Sequence, residues 1–234
     1  MRPVPLAALA AAYVLTAPVL TACVQTTGTG TGTAAMGTAA VVTPAADAGS
    51  AVALRPPGTP ARPAVALAPP QWRVGDTWQY SDGYGMRVTE VNGPAARFQR
   101  TDAPGQWYIA RGPFREQLQS RNALRQVVFQ SEDPQRLYTV PPGEPVVFRR
   151  EYMRNGVLVR HRTSWTVEGT ETITVPAGTF DAVILVMRTR STTGNWTAYE
   201  RWWYAPAVRN YVRMEFKYGE APDNARVLTA YSLK

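Results

Sequence analysis

The chain of 234 residues contains one cysteine, one histidine and only two lysines among its 25 basic residues. A single cysteine excludes a disulfide within the chain and a cysteine-rich metal cluster. A single histidine excludes a multi-histidine metal site, so we expect neither a metal nor any other cofactor. The aromatic content of 10% and the hydrophobic content of 45% exclude wholesale disorder. The sequence is therefore that of a basic, globular protein.

The N-terminus has the three parts of an export signal. Arg2 precedes a small-apolar stretch from Val4 to Leu20, and a small-residue cleavage site ends at Ala22. A membrane span would need about 20 apolar residues followed by a charge cluster, whereas threonine and glycine follow here. We therefore expect residues 1–22 to be a signal peptide that the mature protein lacks.

Leu20-Thr21-Ala22-Cys23 resembles the lipobox of bacterial lipoproteins. The resemblance implies that Cys23 is the lipidation site, where a diacylglyceryl thioether forms and the new N-terminus receives an acyl chain such as palmitate. Each buried acyl CH₂ contributes about 0.8 kcal/mol, so two or more chains anchor a protein durably. Val24 stands where inner-membrane lipoproteins of some bacteria carry aspartate, which favours the outer membrane, facing the periplasm. The alternative is an ordinary secretory signal with an incidental cysteine.

A linker follows over residues 23–70. In residues 24–70, 34 of 47 side chains belong to threonine, glycine, alanine or proline, and none is aromatic. Such a segment cannot bury enough apolar surface to offset its chain entropy. We expect a disordered tether that spans roughly 40 Å as a random coil, with binding of a partner through its prolines as the alternative.

Residues 71–234 form the predicted globular domain, which carries all seven tryptophans and repeated strand-like alternation. Phe180 to Arg190 has apolar side chains on both faces, which predicts a central strand covered on both sides. Tyr211 to Tyr218 alternates apolar with charged residues, which predicts a strand with one face in water.

Local turn signals complete the prediction of the fold. Val175 to Phe180 and Asn155-Gly156 each predict a tight hairpin. Pro113 to about Arg125 is expected to form the one short helix. The predicted fold is thus mainly β, a single antiparallel half-barrel or sandwich with at most one short helix.

Motifs at three places carry a family resemblance. They are Trp72 to Tyr80 at the start of the domain, Trp165 to Glu171 with Val175 to Phe180 in its middle, and Trp203-Tyr204-Ala205-Pro206 near its end. The domain resembles that of a broad group of uncharacterised bacterial exported proteins and lipoproteins. The resemblance implies a β-rich domain of unknown function, similar in outline to the half-barrels that carry lipoproteins through the periplasm. In such proteins a glycine-containing turn commonly follows Ala-Pro, whereas here Ala207, Val208 and Arg209 follow.

The residues do not identify a reaction. The one imidazole, His161, is either a buried structural histidine or a catalytic base, and no Gly-x-Ser-x-Gly nucleophile pattern accompanies it. Two carboxylate pairs could act as in glycosidases, although salt bridges are commoner at such positions: Glu168 with Glu171, and Asp181 with Glu200. Whether the protein is an enzyme stays open, and the residues favour a protein without catalytic activity.

Aromatic side chains crowd the segment from 196 to 204. Alternation places Trp196, Trp202 and Tyr204 on one face, with Tyr199 and Trp203 on the other. Aromatics on both faces cannot share one core unless the sheet is covered twice, so one set should line a cleft, a partner surface or a barrel interior. We predict ligand binding by Trp196, Trp202 and Tyr204 together with His161, with core packing as the alternative.

The formal net charge of +8 comes almost entirely from arginine. The arginines scatter among acidic residues without the aromatic spacing of a nucleic-acid platform, so no nucleic-acid partner is expected. The group formed by Arg149, Arg150, Arg154, Arg160 and Arg162 suits anionic lipid head groups or acidic glycans. A genome rich in arginine codons explains it equally well.

Together these features predict a lipid-anchored cell-envelope protein that binds an apolar ligand or an envelope protein without catalysis. Its membrane partner is reached through the N-terminal lipid. A passive scaffolding lipoprotein is the first alternative and a hydrolase the second. A ligand carrier needs an apolar cavity, whereas a scaffold needs an exposed apolar patch.

Overall fold

The computed structural model describes residues 66–234, so the predicted signal peptide, Cys23 and most of the predicted linker lie outside the described residues. Thirteen strands and two short 3₁₀ turns form this part of the chain: β1 (Thr77–Tyr80), β2 (Gly85–Asn92), β3 (Ala95–Arg100), β4 (Trp107–Arg111), β5 (Phe114–Gln119), β6 (Leu124–Gln126), β7 (Val128–Gln130), η1 (Pro134–Tyr138), β8 (Val146–Arg154), β9 (Val157–Val175), β10 (Gly178–Ser191), β11 (Thr197–Ala205), η2 (Pro206–Val208), β12 (Asn210–Tyr218) and β13 (Asn224–Ser232). Within residues 66–234 no helix is long and apolar enough to cross a membrane.

All thirteen strands belong to one antiparallel sheet in the order β6-β5-β4-β3-β2-β1-β13-β12-β11-β10-β9-β8-β7. The two edge strands, β6 and β7, are consecutive in the chain and are separated by Val127 alone. Because one residue joins the two edges, the sheet must curl until they meet, and it forms a nearly closed barrel. The Val127 backbone N–H donates to the Glu116 carbonyl at 2.7 Å, which ties this junction to β5. The predicted antiparallel, mainly β fold is confirmed.

The predicted central strand and both hairpins are confirmed. In β10 every side chain from Ala182 to Met187 is buried, so both faces of this strand are covered. Asn155 and Gly156 join β8 to β9 with φ of 51° and 77°, the positive pair that a tight hairpin turn requires. Pro176 and Ala177 join β9 to β10.

The helix predicted from Pro113 to about Arg125 is wrong. Its residues form β5, a turn and the start of β6, and β5 pairs with β4 across a tight turn at Gly112, whose φ is 56°. The helical spacing had fitted mainly polar side chains, so a helix there would have had too thin an apolar face to pack. In the extended conformation Phe114 reaches the core and is only 2% exposed.

The segment from Tyr211 to Tyr218 is a strand, as predicted, but of its charged face only Lys217 is exposed. Glu215 is 5% exposed, and it accepts a hydrogen bond of 2.6 Å from Arg213. The Arg213 guanidinium lies 5.1 Å from the ring centroid of Trp203 on the neighbouring strand. Since the two charges satisfy each other, this face can be buried without an unpaired ion.

The first of the segments that carry the family resemblance lies against the turn that follows the last one. The indole N–H of Trp78 donates to the Val208 carbonyl at 2.8 Å, and that of Trp72 donates to the Arg209 carbonyl at 2.8 Å. Leu67, in the stretch predicted as linker, is buried in the same core. The packed part of the chain therefore includes residues that precede Gln71.

Asp76 fixes this arrangement electrostatically. Its carboxylate is fully buried and accepts a hydrogen bond from the Arg209 guanidinium at 2.9 Å and another from the Lys234 backbone N–H at 2.8 Å. Arg209 has a φ of 57°, so an arginine adopts the left-handed conformation where a glycine-containing turn was expected. The ion pair with Asp76 compensates for the cost of that conformation.

Candidate ligand-binding cavity

Side chains on the inner face of the barrel leave a cavity of about 270 Å³. Trp196 and Tyr218 line it and are 38% and 39% exposed, so the cavity reaches solvent at their end. Its volume lies just below the range of about 300–1,000 Å³ that is typical of small-molecule sites. The cavity therefore suits a small ligand, or one end of a longer ligand that emerges past Trp196.

Eight aromatic side chains line the cavity. Trp165 and Trp202 meet edge to face with centroids 5.4 Å apart, and Phe114 meets Trp165 in the same way at 5.7 Å. These three side chains are buried. The complete aromatic lining is Phe114, Phe129, Phe148, Tyr152, Trp165, Trp196, Trp202 and Tyr218.

Four arginines share this wall: Arg115, Arg125, Arg150 and Arg154. Within residues 66–234 none of them forms an ion pair with a carboxylate. The guanidinium of Arg115 instead lies 4.7 Å from the Tyr108 ring centroid, and that of Arg125 lies 4.6 Å from the centroid of Tyr152. Aromatic faces attract these cations without neutralising them.

Arg150 is the least satisfied of the four. Its buried Nε atom has no hydrogen-bond partner among the described residues. Burial lowers the pKa of the Arg150 guanidinium, Glu200 acts in the opposite direction, and Arg115 lowers the pKa further. A guanidinium stays protonated at neutral pH even so, which leaves a charge with little local compensation.

Glu200 is the one carboxylate that lines the cavity among the described residues. Its two oxygens accept hydrogen bonds from the Trp202 indole N–H at 2.9 Å and from the Tyr218 hydroxyl at 2.7 Å. Two neutral donors thus hold the carboxylate in place, and no arginine is within ion-pair distance of it in residues 66–234. The wall carries four positive charges against one negative charge.

His161 lies behind the rim of the cavity and does not face it. The imidazole is 3% exposed and stacks on Trp196, with ring centroids 4.7 Å apart and an angle of 15° between the planes. Burial, followed by the charges of Arg150 and Arg125, lowers the pKa of His161 to about 4, so the ring is neutral at pH 7. Its Nδ1 atom has no hydrogen-bond partner in the described chain; the ring therefore acts through stacking.

The four predicted site residues lie on the inner face but not in one pocket. Trp196 and Trp202 line the cavity. Tyr204 lines a separate void of about 30 Å³, and His161 supports Trp196. Trp203 points to the opposite face, as alternation predicted, and pairs in register with Ile184.

Sequence reasoning missed the role of the cavity arginines. Arg150 and Arg154 alternate with Phe148 and Tyr152 along β8, so a strict count would have placed them on the inner face with these rings. Arg115 lay in the segment that was predicted to be helical. The other basic residues of the predicted group, Arg149, Arg160 and Arg162, are exposed.

The carboxylates of the first predicted pair bind other side chains, and those of the second lie apart along the sheet. Glu168 pairs with Arg201 at 2.8 Å, and Glu171 accepts from the Trp203 indole N–H at 3.1 Å. Asp181 lies near one end of β10, whereas Glu200 is in register with Met187 much farther along that strand. Residues 66–234 contain no group of three or more metal-ligating side chains.

The domain also has exposed apolar side chains at one hairpin tip. Met153, Val157 and Leu158 are 54%, 64% and 39% exposed where β8 turns into β9. The described domain thus contains both a cavity, which a ligand carrier needs, and an exposed apolar patch, which a scaffold needs. The patch is compatible with either function, whereas a cavity distinguishes them.

No family model and no curated protein matches this chain. Among solved structures it is similar to the hypothetical lipoprotein YmcC of Escherichia coli K12, with a TM-score of 0.48 and 9% identity over 69% of this chain and 86% of that chain. A candidate lipoprotein of Parabacteroides distasonis matches with a TM-score of 0.36 and 17% identity, over 68% of this chain and 96% of that one. A candidate exported protein of Bacteroides fragilis with a YmcC-like fold has a TM-score of 0.38 and 15% identity, over 69% of this chain and 97% of that one.

At these TM-scores the likenesses do not establish an activity for this chain. The strand topology of residues 66–234 agrees with the β-rich domain that the sequence resemblance implied.

Proposed function

We propose that this protein is a lipid-anchored lipoprotein of the bacterial cell envelope whose barrel domain binds an apolar or amphiphilic ligand without catalysing a reaction. The observation that carries the proposal is the cavity of about 270 Å³ with eight aromatic side chains in its wall. A passive scaffold gains nothing from such a space, since unfilled volume in a core costs stability. A bound apolar group would restore the missing contacts.

The N-terminal sequence supports the anchored location. Cys23 ends a lipobox, and the linker after it is rich in threonine, glycine, alanine and proline. A tether of roughly 40 Å would let the domain move relative to the membrane while it stays attached. Val24 favours the outer membrane, with the domain in the periplasm.

Native mass spectrometry of the full chain, extracted gently from its own membranes, tests ligand binding. We expect a small molecule to remain bound to part of the population. Trp196→Ala should reduce the bound fraction, because this ring lines the open end of the cavity. Tyr231→Ala is the matched control, since Tyr231 is 41% exposed and does not line the cavity.

Two results would contradict the proposal. One is a chain that carries no ligand in repeated gentle extractions. The other is a ligand that Trp196→Ala and Tyr231→Ala release equally, which would place it outside the cavity.

A further inference from the structure

The positive charge of the cavity wall restricts the chemical groups that the ligand can contain. Four arginines and one glutamate line a space that is otherwise mostly aromatic. A wall made only to hold a neutral hydrocarbon would not bury guanidinium groups, because each buried charge without a counter-ion is costly. The excess positive charge therefore requires its own explanation.

Arg115 and Arg150 lie next to the buried part of the cavity wall. Both are half-buried, the nearby rings of Phe114 and Phe148 are 2% exposed, and the charge of Arg115 acts on Arg150. Arg154, by contrast, is exposed and belongs to the rim. Arg115 and Arg150 thus stand between the aromatic wall and the open end.

The donors of these two side chains are free to bind an anion. Arg115 makes a cation–π contact with Tyr108, which orients its plane without using its N–H groups. Neither Arg115 nor Arg150 donates a side-chain hydrogen bond to another described residue. A guanidinium presents a planar fork of N–H donors that matches a carboxylate or a phosphate. Glu200 does not neutralise these two arginines: its oxygens accept from Trp202 and Tyr218, and no ion pair joins it to either arginine within residues 66–234.

We propose that the cavity is selective for an anionic amphiphile whose carboxylate or phosphate is bound by Arg115 and Arg150 while its apolar chain lies against the aromatic wall. This inference rests on the proposed function, since it names the chemical class of the ligand in that same cavity. Arg154 at the rim attracts the anion towards the opening. The negative Glu200 opposes the bound anion and limits its affinity.

Tryptophan fluorescence of the full chain, held in phosphatidylcholine nanodiscs, measures the selectivity. The probes are dodecyl phosphate, dodecanoate and the neutral monododecanoyl glycerol, each below its micelle concentration, with protein-free nanodiscs as the blank. We expect both anionic probes to bind at least about tenfold more tightly than the neutral one. A preference between the two anions identifies a phosphate-bearing or a carboxylate-bearing natural ligand.

Substitutions assign the effect to residues. Arg115→Gln and Arg150→Gln should each weaken anionic binding about tenfold and affect neutral binding much less, so that the ratio of the two affinities falls. Arg162→Gln is the matched control, because Arg162 is exposed on the outer face of the same sheet. Glu200→Gln should strengthen anionic binding severalfold, a gain that partial unfolding cannot produce.

The outcomes separate this inference from the proposed function. Equal binding of neutral and anionic probes overturns the anion selectivity and leaves ligand binding intact. Binding of no amphiphile overturns both proposals. Inorganic phosphate or acetate binding as tightly as the amphiphiles would mean that the arginines form a site for free anions and that the apolar ligand is wrong.

Discussion

The one histidine of this chain packs as a neutral ring between other aromatic rings. His161 stacks on Trp196 and meets Tyr152 edge-on, with centroids 5.6 Å apart. The charges of Arg150 and Arg125 add to the effect of burial in keeping it neutral. Sequence alternation predicted which strand face it occupies, but the stacking depends on Trp196, which arrives from another part of the chain.

Acid should destabilise the native state through His161. Its native pKa of about 4 is below its ordinary value of 6.5, so between these values the unfolded chain binds a proton that the native chain does not. Stability is therefore highest above pH 6.5 and falls as the pH drops towards 4, by on the order of 2 kcal/mol from this group. Urea unfolding of the wild type and of His161→Phe at pH 7 and pH 4.5 measures the difference.

In this experiment His161→Phe should show the weaker pH dependence, because phenylalanine keeps the stacking ring and removes the titration. An NMR titration that places the native pKa of His161 at or above 6.5 would contradict the expectation.

At the scale of elements, one carboxylate connects three parts of the barrel that are far apart in the sequence. Asp76 lies just before β1, Arg209 follows η2, and Lys234 follows β13. The sequence marked Trp72 to Tyr80 and Trp203 to Pro206 as separate motifs. Only the folded chain shows that the first motif holds the turn after the second.

Asp76→Ala should be strongly destabilising, by about 3 kcal/mol, because it removes the carboxylate that pairs with Arg209 and leaves the backbone N–H groups of Arg73 and Lys234 without their acceptor. Guanidinium-chloride unfolding measures the change in the free energy of unfolding. Asp223→Ala is the control: its ion pair with Lys217 is about half exposed on both sides, and such pairs contribute at most about 1 kcal/mol. If Asp76→Ala lowers the free energy of unfolding no more than Asp223→Ala does, the buried carboxylate does not hold these elements together.

At the scale of the whole molecule, the barrel encloses the candidate site and the predicted lipid determines where the barrel can act. β6 and β7 meet at Val127 and close the sheet around a wall of aromatic rings and arginines. The predicted tether would confine this domain near a membrane without fixing its orientation. Both proposals therefore have to be tested on the complete chain, and the anchor has to be tested there as well.

Cys23→Ser should abolish incorporation of labelled palmitate, because serine lacks the thiol from which the thioether forms. The measurement is radiolabelled or click-labelled palmitate in cells that express the full chain. Val24→Asp is the matched control, since it changes the next residue and leaves the thiol. It should keep the label and, under the sorting rule, move the protein from the outer to the inner membrane. Labelling that survives Cys23→Ser would eliminate the lipid anchor.

The sequence by itself determined the local features of the described domain. The alternation along β8 to β11 and the Asn155-Gly156 turn depend on side-chain direction and on backbone φ, which neighbouring residues set. Tertiary structure decided the rest. Three features depend on side chains from distant strands, whose proximity exists only once the sheet has closed. They are the stacking of Arg213 on Trp203, the strand conformation after Pro113, and the presence of Arg115 and Arg150 in one cavity wall. Lipidation of the lone cysteine thus remains a prediction from the sequence, whereas the positive, aromatic cavity is visible only in the folded barrel.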